Sequence, residues 1–196
     1  MSGKGAATRE RILDQAFRLA SRDGLHGLTL GTLSAELGLS KSGLFAHFGS
    51  KDELQLQVLQ DAIERFREAV VRPALAVPRG EPRLRTLFER WLAWTGDPER
   101  PGCLLIAASV ELDDRPGPLR ELLSESHRRR RELLAKAARL AVEAGHLRAD
   151  ADPDQLAFDL DGIILGYHQS HRLLRDPRAA DHARAAFERL LACNRP

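Results

Sequence analysis

Aromatic residues make up 5% of this chain, and β-branched residues are sparse beside its Ala, Leu, Arg and Glu. The side chains that a pleated sheet packs best are therefore in short supply, and the composition favours helix. Cysteine occurs only at 103 and 193. Two thiols so far apart form neither a disulfide framework nor a zinc-ligand spacing, so free thiols in a reducing compartment are expected. No apolar run approaches the roughly 18 residues of a membrane span, and the first residues carry no signal-peptide pattern. The expectation is a cytoplasmic protein without a membrane partner. Catalytic signatures are missing too: there is no HExxH, no glycine-rich phosphate loop after a strand, no nucleophile elbow and no convincing carboxylate pair. An enzyme is not expected, nor is a cofactor or resident metal.

Strong net charge is also lacking, at +2 overall, so no global field announces a polyanion. The distribution says more. Residues 1–51 hold seven Lys or Arg and four Asp or Glu, a local +3, which leaves −1 for the remainder. A basic head is modest support for phosphate contact.

Glycine and proline cut the chain into helix-length pieces. After an arm at 1–7 read as unstructured, a first helix is predicted over 8–22, with Ile12, Ala16, Leu19 and Ala20 on one face. Thr29 can cap a short second helix that buries Leu33 and Leu37, and Ser40 a third that buries Leu44 and Phe48. Ser50 and Glu53 have capping-box spacing and open a fourth helix running to Arg72 and Pro73. Further helices are predicted at 82–95, 102–113, 118–144, 153–174 and 177–193. Nine helices and no strand make an all-α protein. It divides into an N-terminal three-helix helix-turn-helix domain at 1–50 and a larger helical domain at 51–196.

The piece from Lys41 to His47 spans seven residues, roughly 10 Å at about 1.5 Å per residue. Such a helix fits a B-DNA major groove about 12 Å wide. With Leu44 and Phe48 turned inward, Lys41, Ser42, Gly43, Phe45 and His47 are left for phosphates and base edges.

The ordered run Thr29-Leu30-Gly31-Thr32-Leu33-Ser34-Ala35-Glu36-Leu37-Gly38-Leu39-Ser40 resembles the second helix and turn of the TetR family of transcriptional repressors. The run from Lys41 through Leu54 resembles its recognition helix and the start of its fourth helix. The resemblance spans residue 8 to about 58. It implies phosphate contacts at Thr29 and Thr32. It implies that Ser40, Lys41 and Ser42 open the recognition helix, that Gly43 approaches a base, and that His47 and Lys51 touch the DNA backbone. Phe45 departs from the pattern, which usually has Tyr there. Its missing hydroxyl removes a phosphate hydrogen bond and leaves a ring that can pack on sugar or a thymine methyl.

The last two helices carry small residues among apolar ones. Leu160, Gly162, Ile163, Gly166, Tyr167 and Ser170 on one, with Ala183, Phe187 and Leu190 on the other, are expected to pair with their copies as a homodimer. Two heads would then reach successive major grooves of a near-palindromic double-stranded operator. The resemblance further implies a cavity for a small, largely apolar effector. Candidate linings are Phe66, Phe88, Trp91, Trp94, Cys103, Ile106, Ala107, Val110, His127, Leu165 and His168. The run Arg128–Arg131 reads as a solvated or ion-paired face with Glu125 and Glu132. Alternatives kept open are an activator of the same fold and a metal-responsive regulator using His168 and His171.

Overall fold

The computed structural model describes residues 3–196, with side chains from Ala7 onward. Every regular element among them is helical. In order these are α1 (Gly3–Gly27), α2 (Leu30–Leu37), α3 (Lys41–Phe48), α4 (Lys51–Phe66), α5 (Arg72–Ala76), α6 (Glu81–Gly96), α7 (Leu104–Leu112), α8 (Pro118–Glu143), α9 (Pro153–His168) and α10 (Ala179–Cys193). A π turn, Arg67–Val71, joins α4 to α5, and another, Gln169–Leu173, follows α9. With α4 and α5 taken as one continuous run, the expected nine helices are present among the described residues.

Two boundaries differ from expectation. Helix α1 begins at Gly3, so most of the arm read as unstructured is helical, while residues 1 and 2 lie outside the described residues. Pro73 does not end the fourth helix. The Arg72 N–H bonds to the Arg67 carbonyl five residues back, and Pro73 then sits in the first turn of α5. A proline at that point lacks only an N–H that a helix start leaves unpaired.

Two compact units account for the chain. One runs to Arg65 and takes in Pro98–Ser124; the other comprises Phe66–Asp97 and Glu125–Pro196. The division does not follow the expected boundary at residue 50, because α4 and α7 pack with the head. In the first unit, α1 supplies Ile12, Ala16, Leu19 and Ala20 as one buried stripe, against which Leu33, Leu44, Phe48, Leu54 and Val58 are also buried. Arg65 ties α4 to α1. It donates to Asp14 at 2.9 Å and to Asp61 at 2.7 Å, with its guanidinium 4.7 Å from the Phe17 ring centre.

In the second unit the core is aromatic and aliphatic. Phe88 stacks flat on Phe187 at 4.1 Å. Phe66 meets Trp91 and Trp94 edge-on, each at 5.6 Å. Leu156, Leu160, Ile164 and Tyr167 of α9 are buried, as are Ala183, Phe187 and Leu191 of α10. No helix among the described residues is long and apolar enough to cross a membrane.

Candidate nucleic-acid interface and effector region

Helix α3 is held by its ends and by two anchors. Ser40 Oγ accepts from the Gly43 N–H at 3.1 Å, and Gly49, at φ 72°, closes the other end with its N–H on the Phe45 carbonyl. Leu44 and Phe48 are buried. Turning those two inward leaves Lys41, Ser42, Gly43 and Phe45 exposed, Phe45 by 56%, with His47 half-buried. An exposed aromatic of that size on a capped helix is an available contact surface rather than core.

Helix α2 is placed by a reciprocal cap. Thr29 Oγ1 accepts from the Thr32 N–H and Thr32 Oγ1 accepts from the Thr29 N–H, both at 3.0 Å. Threonine does here what Glu or Gln does in the usual capping box. The Lys41 ammonium reaches the first turn of α2 and lies beside Gly31. Ser50 Oγ accepts from the Glu53 N–H at 3.0 Å, but the Glu53 carboxylate takes the amide of Gln57 instead of returning to Ser50. The expected box at Ser50 is thus seen only in its forward half. No Asp or Glu stands between Glu36 and Asp52, whereas Lys41, His47 and Lys51 do. The exposed face of α3 therefore presents hydroxyls, backbone and cations to an incoming polyanion.

One contact in this unit was not legible from sequence. Helix α1 breaks at Gly24, whose φ of 78° and ψ of 170° only glycine adopts readily. The freed Leu25 and His26 N–H groups both donate to the Glu111 carboxylate of α7, at 3.1 and 2.8 Å. A Cβ built on Gly24 falls 2.1 Å from Glu111 Oε1. Gln55, buried on α4, donates to the Leu28 carbonyl at 3.3 Å and also to that of Leu25. The end of α1 is thus fastened to α7 and α4 by hydrogen bonds that saturate a broken helix terminus.

In the other unit, the residues expected around an effector separate into groups. Phe66, Trp91 and Trp94 form one buried aromatic cluster. Phe88 is fully buried against Phe187. His127 and His168 are half-buried; burial, helped by Arg172 and His171, lowers the His168 pKa and keeps that ring neutral at pH 7. Leu165 stands at the surface, 52% exposed, and lines no interior wall within the chain. Cys103, Ile106, Ala107 and Val110 belong to the first unit, and Val110 is 74% exposed. Among the described residues no three His, Cys, Asp or Glu are grouped so as to hold a metal ion.

The arginine run divides as well. Arg128 and Arg129 pair with Glu125 at the surface, as expected. Arg130 turns inward. Its guanidinium lies 4.5 Å from the Trp91 ring centre and donates to Asp161 at 3.1 Å, with both side chains only 11% exposed. Arg131 approaches the same carboxylate at 3.5 Å. Sequence reading missed the pairing of Arg130 with Asp161. The one signal was Asp161 among Leu160, Ile163 and Ile164 on α9, a position where an acid buries only when paired.

The expected dimer residues also divide. Leu160, Tyr167, Ala183 and Phe187 are buried within the chain. Tyr167 closes on Gly96, where an added Cβ would lie 2.2 Å from its hydroxyl, and Phe187 is the partner of Phe88. These four serve the chain's own core. Gly162 and Gly166 are exposed with nothing near them; Ile163, Ser170 and Leu190 are half-buried. On the same outward stripe as the two glycines lie Phe158, 58% exposed, and Leu165. Residues 158, 162, 165, 166 and 173 follow helical spacing, so an apolar face runs along α9 towards Leu173, which is 72% exposed.

Comparisons with known proteins agree with this architecture. Residues 12–58 match the model for bacterial regulatory proteins of the tetR family, and residues 80–187 match the Tetracyclin repressor-like C-terminal domain. The HTH-type transcriptional repressor AcnR of Corynebacterium efficiens is 26% identical over 168 residues, covering 84% of this chain and 81% of that protein. A TetR transcriptional regulator from Chloroflexus aurantiacus superposes with a TM-score of 0.83 at 26% identity, covering 96% of this chain and 94% of that one. A putative transcriptional regulator from Saccharomonospora viridis, solved in complex with choline, gives 0.83 at 25% identity, covering 95% and 96%. The exposed, capped α3 and the matches to both halves lead to one conclusion: the chain belongs to the TetR family of transcriptional regulators, not to a family of enzymes.

Proposed function

We propose that this chain is a cytoplasmic repressor that binds a near-palindromic operator as a homodimer and leaves it when a small, largely apolar effector binds. The observation that carries the reading is α3: a short helix fixed by caps and two buried anchors, with an exposed face free of carboxylates. Thr29, Thr32, Ser40 and Lys51 surround it as phosphate contacts, and Ser42, Gly43, Phe45 and His47 face the groove. AcnR, a repressor by name, supports the direction of regulation.

The outward stripe of α9 supports the dimer, because exposed Phe158 and Leu165 beside two bare glycines suit a close helix–helix approach. For the effector, Phe66, Trp91 and Trp94 offer apolar walls, and Arg130 with Asp161 offers the few polar groups that orient a ligand. Footprinting on the DNA upstream of its own gene tests the reading. A protected, near-symmetric site that a screened apolar compound releases is expected. Uniform protection at every sequence would contradict it.

A further inference from the structure

A cavity of about 460 Å³ opens in the unit that contains Phe66–Asp97. Its floor is Leu133, Ala137 and Leu140, spaced along one face of α8, with Leu75 at its edge. Arg79, Arg83 and Lys136 rim it, and no carboxylate lines it. Neighbouring arginines on the same helices have acidic partners: Arg85 of α6 has Glu81 and Glu188, and Arg139 of α8 has Asp154. The three rim cations have no such partner among the described residues. Arg83 is held in place by donating to the Val77 carbonyl at 2.9 Å, a bond that orients its guanidinium without cancelling its charge. Leu75, at 50% exposure, leaves apolar surface open to water at the mouth.

We propose that this cavity binds a single-chain organic carboxylate, with the alkyl chain on the leucine floor and the carboxylate among Arg79, Arg83 and Lys136. Its volume is in the range of small-molecule sites, not of an extended protein groove. An uncompensated triple-cation rim selects an anion and disfavours a cation. The apolar floor selects against bare polyanions, which would leave it wet. The site shares no residue with the aromatic cluster of Phe66, Trp91 and Trp94.

Titration calorimetry of the full chain with decanoate tests the proposal, with decyltrimethylammonium and inorganic phosphate as separate probes. Lys136→Glu and Leu75→Asp change exposed side chains, and their thermal melts verify folding. One decanoate per chain at this site is expected, weakened about ten-fold or more by either substitution. Decyltrimethylammonium and phosphate should each bind at least about ten-fold more weakly than decanoate. The proposal is overturned if decanoate fails to bind or if both folded variants bind it unchanged. Equal binding of the cationic amphiphile, or of phosphate alone, overturns it as well. The readout needs no DNA, so it stands apart from operator binding.

Discussion

Single residues carry the sharpest consequences. Gly24 occupies a conformation costing other residues about 1–3 kcal/mol, and any Cβ there collides with Glu111. Gly24→Ala should lower stability by about 3 kcal/mol, read from urea denaturation, since Glu111 must also surrender two backbone hydrogen bonds. An unchanged midpoint would mean that α1 does not break there. Lys51 makes a different kind of prediction. If it contacts phosphate, Lys51→Ala weakens every DNA sequence about equally and flattens the salt dependence by about one unit. A retained slope would place the ammonium away from the backbone. Gly24 shows where sequence reading stops. Sequence pattern ends the first helix at residue 22, yet the break at Gly24 is held by Glu111, across a long stretch of chain that local pattern cannot see.

Elements were legible to the extent that they are local. Caps at Thr29, Ser40 and Ser50, and the buried positions of α1 to α3 apart from Leu37, which was expected inward but is only half-buried, could be read because a helix end is decided by its immediate neighbours. Which stripe of α9 faces inward could not. That helix carries apolar or small residues almost all round, so period alone does not separate buried Leu160 and Tyr167 from exposed Phe158 and Leu165. The buried Arg130–Asp161 pair was hidden for a related reason, because four consecutive arginines give no sign of which one turns inward.

The start of α6 is tied to the chain's end by charge. Hydrogen bonds from Arg195 hold the Glu81 pKa below its ordinary range; burial opposes this, and Arg85 adds to the lowering. A carboxylate depressed in the folded state stabilises above its unfolded pKa, and the contribution is lost as pH falls through the folded value. Glu81→Gln should therefore lose about 1 kcal/mol at neutral pH, with the gap to wild type closing as pH falls below the ordinary glutamate range in urea titrations. A gap that persisted in acid would assign the loss to packing instead of charge.

At the scale of the whole molecule, two predictions join the body to the head. Gly166 has open space beside it on the outward stripe of α9, so Gly166→Glu leaves the fold intact but places a charge in the proposed dimer contact. Monomers by light scattering are expected; a mutant still dimeric would move the contact to another face. The central claim is that α3 reads DNA, and Gly43 is its most direct test. A Cβ at Gly43 lies 3.2 Å from Ser40 Oγ, the cap of α3, which must give by only a few tenths of an ångström, so the fold is kept while the added side chain fills the exposed face. The decisive measurement is the affinity of wild type and Gly43→Leu for the footprinted operator and for a scrambled duplex, with melting temperatures recorded alongside. The account predicts that the variant melts like wild type but binds the operator no better than the scrambled duplex. Full operator preference in the folded variant would contradict it.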